Sequence, residues 1–419
     1  MQGFALSVVL ALLGMMLLGC AILAAPAAGP SRPSDARAAD LSPGARALIN
    51  RAFDGIDPEE QLDVHVHVAG VGAGRSGCCV SPQMQSGFHP VKRLQFQVYL
   101  RAAGVRHLEQ ADREYVERLL ERMRTGPGHG RCQILAFDRR YRRDGTVDEA
   151  RTAFYVPNDY VLELAREHPD VFLPTISVHP YRSDAIEELE RGARQGATMV
   201  KWLPNSMGID PSDPLCDPFY AKMRALGLIL LSHGGEEKAV DAAEDQRLGN
   251  PLLLRRALDH GVRVIVAHCA GLGDNVDLDD PRRSSVPNFE LFLRLMGEER
   301  YRGLVFGEIS AVLQYNRFGV SLETLLRRKD LHGRLVNGSD YPLPAINALV
   351  RTGSLVSAGF LSKEERRSLN EIYAWNPLVF DFVLKRTVHP PGGDERFPAS
   401  VFMRNPALAP RDSGCPEGR

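Results

Sequence analysis

The sequence predicts an α/β chain closing into a (β/α)8, or TIM, barrel, and three observations predict it. Short apolar, β-branched runs alternate with helix-like stretches eight times over roughly 300 residues. The residues able to do chemistry fall at the C-terminal ends of those runs. The first run is followed by a long connection, and in a barrel such loops lie over the active-site face.

The chain opens on Phe4 to Ala25, an apolar run without a charge. About 20 such residues cross a bilayer as a helix. No Lys or Arg precedes the run, so its orientation signal is weak. Leu17-Leu18-Gly19-Cys20 resembles a bacterial lipobox, although the residues after Cys20 stay apolar. Residues 1–28 are therefore expected to be a membrane anchor or signal segment, an uncleaved anchor being preferred to a lipoprotein or secretory signal. Each reading puts the rest of the chain on an exported, periplasmic side or at a membrane surface. Pro26 to Ala39 is rich in Pro, Ala, Gly and Ser, as linkers are. The expected division is an anchor at 1–28, a linker at 29–45, a barrel at 46–390 and a C-terminal tail at 391–419.

The expected strands are Leu62 to Val68, Gln133 to Phe137, Phe172 to Val178, Thr198 to Leu203, Leu228 to Ser232, Arg263 to Ala267, Leu304 to Ile309 and Arg334 to Asn337. Between them, Ser183 is a plausible helix cap followed by acidic residues, with Ala185, Ile186, Leu189 and Ala193 at helical spacing. Pro251 opens another helix that ends at Gly261. Ser321 to Arg328 and Ser362 to Tyr373 read the same way. A doubly wound open sheet would also alternate, but it carries a Gly-rich phosphate loop leading into a helix. The glycines of "GVGAGRSG" after strand one lead into no obvious helix. Gly70 to Arg131 is read as a long insertion after strand one.

The polar residues then fall into place. Asp63, His65 and His67 alternate on strand one, and side chains two apart share a face, so all three are expected at the barrel mouth. His233 ends strand five, His268 ends strand six, Asp340 follows strand eight and Lys201 lies in strand four. One histidine at a strand end is ordinarily a hydrogen-bonded structural residue. Four histidines and an aspartate at the ends of strands one, five, six and eight form a set that binds divalent metal. Weaker candidates for the pocket are His179, Arg182, Glu308, Arg317 and Asn337. Glu236 and Glu237 are placed either to orient His233 or to cap the next helix.

The runs "DVHVHV", "VKWLP", "LLSHGGE", "VIVAHCAG" and "NGSDYP" resemble those of the amidohydrolase superfamily, over roughly Leu62 to Phe382. Within it they are most similar to the amidohydrolase-related branch with aminocarboxymuconate semialdehyde decarboxylase and lactonases. The resemblance implies that His65, His67 and His233 are metal ligands. It implies that His268 ligates a second ion or acts as a catalytic histidine, and that Asp340 binds metal and serves as general base. In binuclear members a strand-four lysine is carboxylated and bridges the metals, whereas decarboxylase-like members lack that bridge. Lys201 is thus a metal-centre residue, or else a cation for a substrate anion or an ion pair. The implied cofactor is one or two divalent ions, Zn first, with Mn, Fe or Co also suited to a mixed His and carboxylate set.

The implied activity is metal-dependent hydrolysis of an amide, ester or lactone bond in a small molecule. The alternatives are non-oxidative decarboxylation at the same site and, behind it, a binding protein on a retired barrel. Composition agrees with a small-molecule partner: across 419 residues, 25% are charged and the net charge is only -1. Such a balance gives no basic excess for nucleic acid and no acidic excess for disorder. Oligomeric state is not legible. The seven cysteines show no zinc-finger spacing. They read as free or buried thiols, or as a disulfide from Cys78 or Cys79 to Cys132 or Cys216.

Overall fold

The computed structural model of the protein describes residues 38–127 and 130–409. Eight strands form one sheet: β1 Leu62–His67, β2 Arg131–Leu135, β3 Phe172–Ile176, β4 Met199–Trp202, β5 Ile229–His233, β6 Arg263–Ala267, β7 Val305–Glu308 and β8 Leu335–Val336. Their spatial order is their chain order, and every pairing from β1 to β8 is parallel. The ring is joined between β8 and β1 by Val64 N–H donating to the Asn337 carbonyl (2.9 Å) and His67 N–H donating to the Tyr341 carbonyl (3.0 Å). The expected (β/α)8 barrel is what the chain forms, with strand ends displaced by at most two residues from their expected positions.

Alternation along each strand decides which side chains fill the barrel. Val64, Leu135, Met199, Ile229, Leu231, Ile265, Ala267, Phe306 and Val336 make one interior cluster. Leu230, Val264 and Val266, on the opposite faces, belong to the outer core beneath the helices. The pairing of Leu231 with Ile265 and of His233 with Ala267 stacks these inward residues in layers. The inward series Met199–Lys201 and Leu231–His233 therefore turns from apolar to polar as it nears the C-terminal mouth.

The connection after β1 has two parts. Helix Ala111–Arg124 buries Tyr115, Val116 and Leu119 in the outer core and is the ordinary crossover helix. The insertion proper precedes it and contains helix Pro90–Ala102 and a short strand Cys79–Val80, paired antiparallel with Phe154–Tyr155. Buried Asp112 ties down the start of the insertion, accepting from Val71 N–H (2.7 Å), Gly72 N–H (3.2 Å) and the Ser76 hydroxyl. Gly70 is needed there, since a Cβ would lie 2.3 Å from the Asp112 carboxyl carbon.

Elsewhere the local signals had mixed outcomes. Ser362 caps helix Lys363–Trp375 with a full capping box to Glu365. Ser183 does not cap its helix: Ala185–Arg194 has Asp184 at the cap position and no side-chain cap bond. Phe397, Val401 and Phe402 are buried, Asn337 N–H donates to the Val401 carbonyl (2.9 Å), and Leu408 packs against the barrel interior. Residues 397–408 thus cover the bottom of the barrel. Cys78, Cys79, Cys132, Cys216 and Cys269 are free thiols, so the disulfide alternative does not hold. The expected anchor at 1–28 lies outside the described residues. Among the described residues no helix is long and apolar enough to cross a membrane.

Candidate metal centre

The barrel mouth gathers His65, His67, Lys201, His233, His268 and Asp340 on the wall of one cavity. His65 and His67 come from β1, Lys201 from β4 and His233 from β5. His268 follows β6, and Asp340 follows β8. Asp63 does not join them. A register shift between Asp63 and Val66 interrupts the alternation of β1. Such a bulge re-aims side chains. The Asp63 carboxylate instead accepts from His65 N–H (3.0 Å) and Ser339 N–H (2.9 Å).

Two of these residues stand on unusual backbone. His268 and its neighbours Cys269 and Ala270 have φ of 56°, 48° and 50°, and Asp340 has φ of 59°. Successive left-handed residues are costly for L side chains and are held only where the surroundings over-determine them. Gly338 shows how tight those surroundings are. A Cβ there would lie 2.5 Å from Glu308 Oε1 and 2.6 Å from the His65 Cβ, so only glycine lets the chain after β8 pass this close.

Glu308 sets the histidine tautomers. Its Oε2 accepts from His65 Nδ1 (2.9 Å) and from the Ser310 hydroxyl (2.7 Å). Ser310 Oγ in turn lies 2.7 Å from His268 Nδ1. With the hydroxyl proton given to Glu308, His268 Nδ1 must donate, and both rings then turn an unprotonated Nε2 toward the cavity. Glu237 is placed likewise for His233, with Oε2 3.5 Å from Nδ1. Fixing the outer ring nitrogen in this way orients a histidine for metal ligation.

The inner nitrogens converge. His65 Nε2 lies 3.2 Å from His67 Nε2 and 3.1 Å from Lys201 Nζ. Asp340 Oδ1 lies 3.1 Å from His67 Nε2 and 3.4 Å from His65 Nε2, and Oδ2 lies 4.0 Å from His268 Nε2. His233 Nε2 is buried without a hydrogen-bond partner. Buried lone pairs facing one another are unfavourable unless a cation meets them. His65, His67 and Asp340 place one ligand atom each close enough to hold a metal ion, so this donor set fits a divalent metal. His65, His268 and Glu308 also lie close enough together, but Glu308 is already engaged by His65 Nδ1 and Ser310 and acts from outside.

Charge in the site follows from the burial of its side chains. Burial, then the Lys201 charge, pushes His65 well below the usual imidazole range. Burial, then the Arg317 guanidinium, does the same to His233 and His268. All three are neutral and able to ligate. Burial lowers Lys201 to about 8 against the pull of Asp340, Glu308 and Glu237, and it raises Glu308 to about 7.

Of the weaker candidates, Glu237, Glu308 and Arg317 lie around the cluster and the others are structural. His179 bonds the Met207 carbonyl and Tyr181 N–H. Arg182 pairs with Asp138 and Asp184. The Asn337 side chain faces Lys385, and Glu236 pairs with Lys238. Ser310 was missed, and its only signal was its place two residues beyond Glu308.

A parallel barrel with histidines, a lysine and an aspartate converging at its C-terminal mouth is the architecture of a metal-dependent enzyme. The family model described as "Amidohydrolase" matches residues 62–369, and the chain belongs to the amidohydrolase family, whose members are enzymes. No protein of curated function matches it. Similar solved structures include an uncharacterised TIM-barrel protein from Bordetella bronchiseptica, 15% identical over 77% of this chain and 99% of that one, with a TM-score of 0.46. Another is 4-oxalomesaconate hydratase from Rhodopseudomonas palustris, 14% identical over 75% of this chain and 94% of that one, TM-score 0.41. A third is a manganese-bound 5-carboxyvanillate decarboxylase mutant from Novosphingobium aromaticivorans, 13% identical over 76% and 94%, TM-score 0.44.

Proposed function

We propose that the protein is a metal-dependent hydrolase that cleaves an amide, ester or lactone bond of a small molecule. The observation that carries this reading is the convergence of His65, His67, His233 and His268 with Asp340 at the floor of one cavity. His65, His67, His233 and Asp340 would hold a divalent ion, Zn first and Mn, Fe or Co as alternatives. His268, whose unprotonated Nε2 faces the cavity, would ligate a second ion or act as a catalytic histidine that accepts a proton beside a single ion. Lys201 would serve the centre as a bridging carbamate or as a cation beside it. The ion supplies Lewis acidity to a carbonyl and acidity to water.

The protein's own part is proton handling. Asp340 Oδ1 faces the His65–His67 pair while Oδ2 lies on the His268 side. One oxygen can therefore hold the ion while the other takes a proton from water and returns it to the leaving group. Asp340→Asn keeps the size and a ligand oxygen but cannot take that proton. Turnover is expected to fall roughly 10²–10⁴-fold with melting temperature and metal content kept. Near-normal turnover in a stable variant would remove the catalytic role. Metal stripped with EDTA should abolish activity, and zinc or manganese added back should restore it. Full activity in a metal-free preparation would sink the whole reading.

A second reading, loss of carbon dioxide from a bound carboxylate, is favoured by one observation. Arg317 is buried, its charge is felt by both His233 and His268, and its Nε and Nη1 have no partner. Arg317 is not on the cavity wall, so it would act on a carboxylate held at the cluster through its charge and not by contact. Assaying carbon dioxide release against hydrolysis products on the same substrates separates the two reactions.

A further inference from the structure

The cavity that holds the metal-binding cluster has a volume of about 150 Å³. Its floor is polar, whereas its walls are nearly all apolar. Val80, Met84, Phe96 and Leu100 come from the insertion after β1, and Phe154 and Val240 come from loops beyond β2 and β5. The polar residues on these walls are already satisfied. Tyr99 donates its hydroxyl to the Ala239 carbonyl (2.9 Å), and Tyr115 donates to the His67 carbonyl (2.9 Å). Glu237 Oε1 accepts from the amides of Ala239 and Val240, while its Oε2 faces His233. Away from the cluster, no lining side chain offers a cation or an unused donor to a charged group.

We propose that the substrate's non-reacting part is uncharged and apolar, an aromatic ring or a short acyl chain, seated against the insertion wall with the scissile carbonyl at the cluster. This rests on the metal-centre reading above and adds the substrate class to it. Above the polar floor, walls this apolar and a volume of this size suit a ring the size of benzene or a short acyl chain. A carboxylate or phosphate carried there would lose its hydration and gain no partner. The side chains that choose the substrate thus sit on loops, apart from the strand ends that would do the chemistry.

Hydroxamates test this, because their head group chelates metal while the tail is varied. The probes are acetohydroxamate, butanohydroxamate, hexanohydroxamate, octanohydroxamate, benzohydroxamate and the monohydroxamate of adipic acid. Their affinity for the zinc-loaded full chain is measured by calorimetry. Affinity should rise about two- to fourfold per added methylene up to hexanohydroxamate, and benzohydroxamate should bind as well as the best chain. The adipic compound, a six-carbon chain ending in a carboxylate, should bind at least about 100-fold more weakly than hexanohydroxamate. Phe96→Ala and, as a milder variant, Met84→Ala lengthen the cavity and should shift the preference toward octanohydroxamate. Equal affinities across all tails, or an adipic compound that binds as tightly as hexanohydroxamate, would overturn the proposal and leave the metal centre standing. Zinc that stays bound while no hydroxamate binds would overturn this proposal alone, whereas a chain that takes up no zinc would overturn the metal-centre reading, and this proposal with it.

Discussion

Glu308 would never touch the substrate, yet it decides which nitrogen of His65 and, through Ser310, of His268 faces the cavity. Glu308→Gln keeps the volume but presents an NH2 group and a weaker acceptor. Zinc affinity, measured by competition with a chelator, should fall roughly 10–100-fold with the melting temperature little changed. Unchanged affinity would mean that the histidines are oriented by packing alone. His65, His67, His233 and His268 were legible because they lie at or beside the ends of β-branched runs, where a barrel presents its chemistry, Lys201 because it lies inside one, and Asp340 only through the run "NGSDYP" that follows β8. Ser310 and Arg317 were harder to read for the same physical reason: they lie beyond a strand end, where no period governs direction. Asp63 misled because the alternation in "DVHVHV" is unbroken in sequence, while the bulge that turns the residue away exists only in the pairing with β2.

The insertion after β1 is the element that makes the cavity, and its attachment is narrow. The carboxylate of Asp112 gathers Val71 N–H, Gly72 N–H and the Ser76 hydroxyl, and it is buried. Asp112→Ala leaves those donors without their acceptor, at a cost of about 1–3 kcal/mol for a buried group left unsatisfied. Because the loss falls on the insertion rather than on the barrel, limited proteolysis should cut between residues 70 and 110 faster than in the native chain. Activity should suffer first in KM, since the wall would loosen while the cluster persists. A variant cut no faster than the native protein would show that the insertion is held by its apolar contacts alone. The sequence showed that something long follows β1 but not its division. Helix Ala111–Arg124 is the crossover helix that a barrel requires, and the earlier part is the real addition. Hydrophobic periodicity marks both as helices and does not say which one packs on the sheet.

At the scale of the whole molecule, burial of neutral imidazoles links folding to pH. His65, His179, His233 and His268 are all buried, and burial is the first cause holding each below the usual imidazole value. In the unfolded chain these rings titrate near pH 6.5. Below that pH the unfolded state binds protons that the folded state refuses, so stability falls as pH falls, until the folded pKa is reached. His179 is held to about 3, so its contribution alone costs about 2 kcal/mol at about pH 5. The site histidines act in the same direction when no metal is bound. A bound ion competes with protons for the same nitrogens and stabilises only the folded state. Melting temperature in EDTA should therefore drop between about pH 7.5 and 5, most of the fall coming below 6.5. With zinc in excess the curve should lie higher, and the gap should narrow as acid displaces the ion. A metal-free protein whose stability stays flat down to about pH 5 would show that these histidines reach water in the folded chain. Equal melting curves with and without zinc near neutral pH would instead show that the converging lone pairs at the barrel mouth hold no ion.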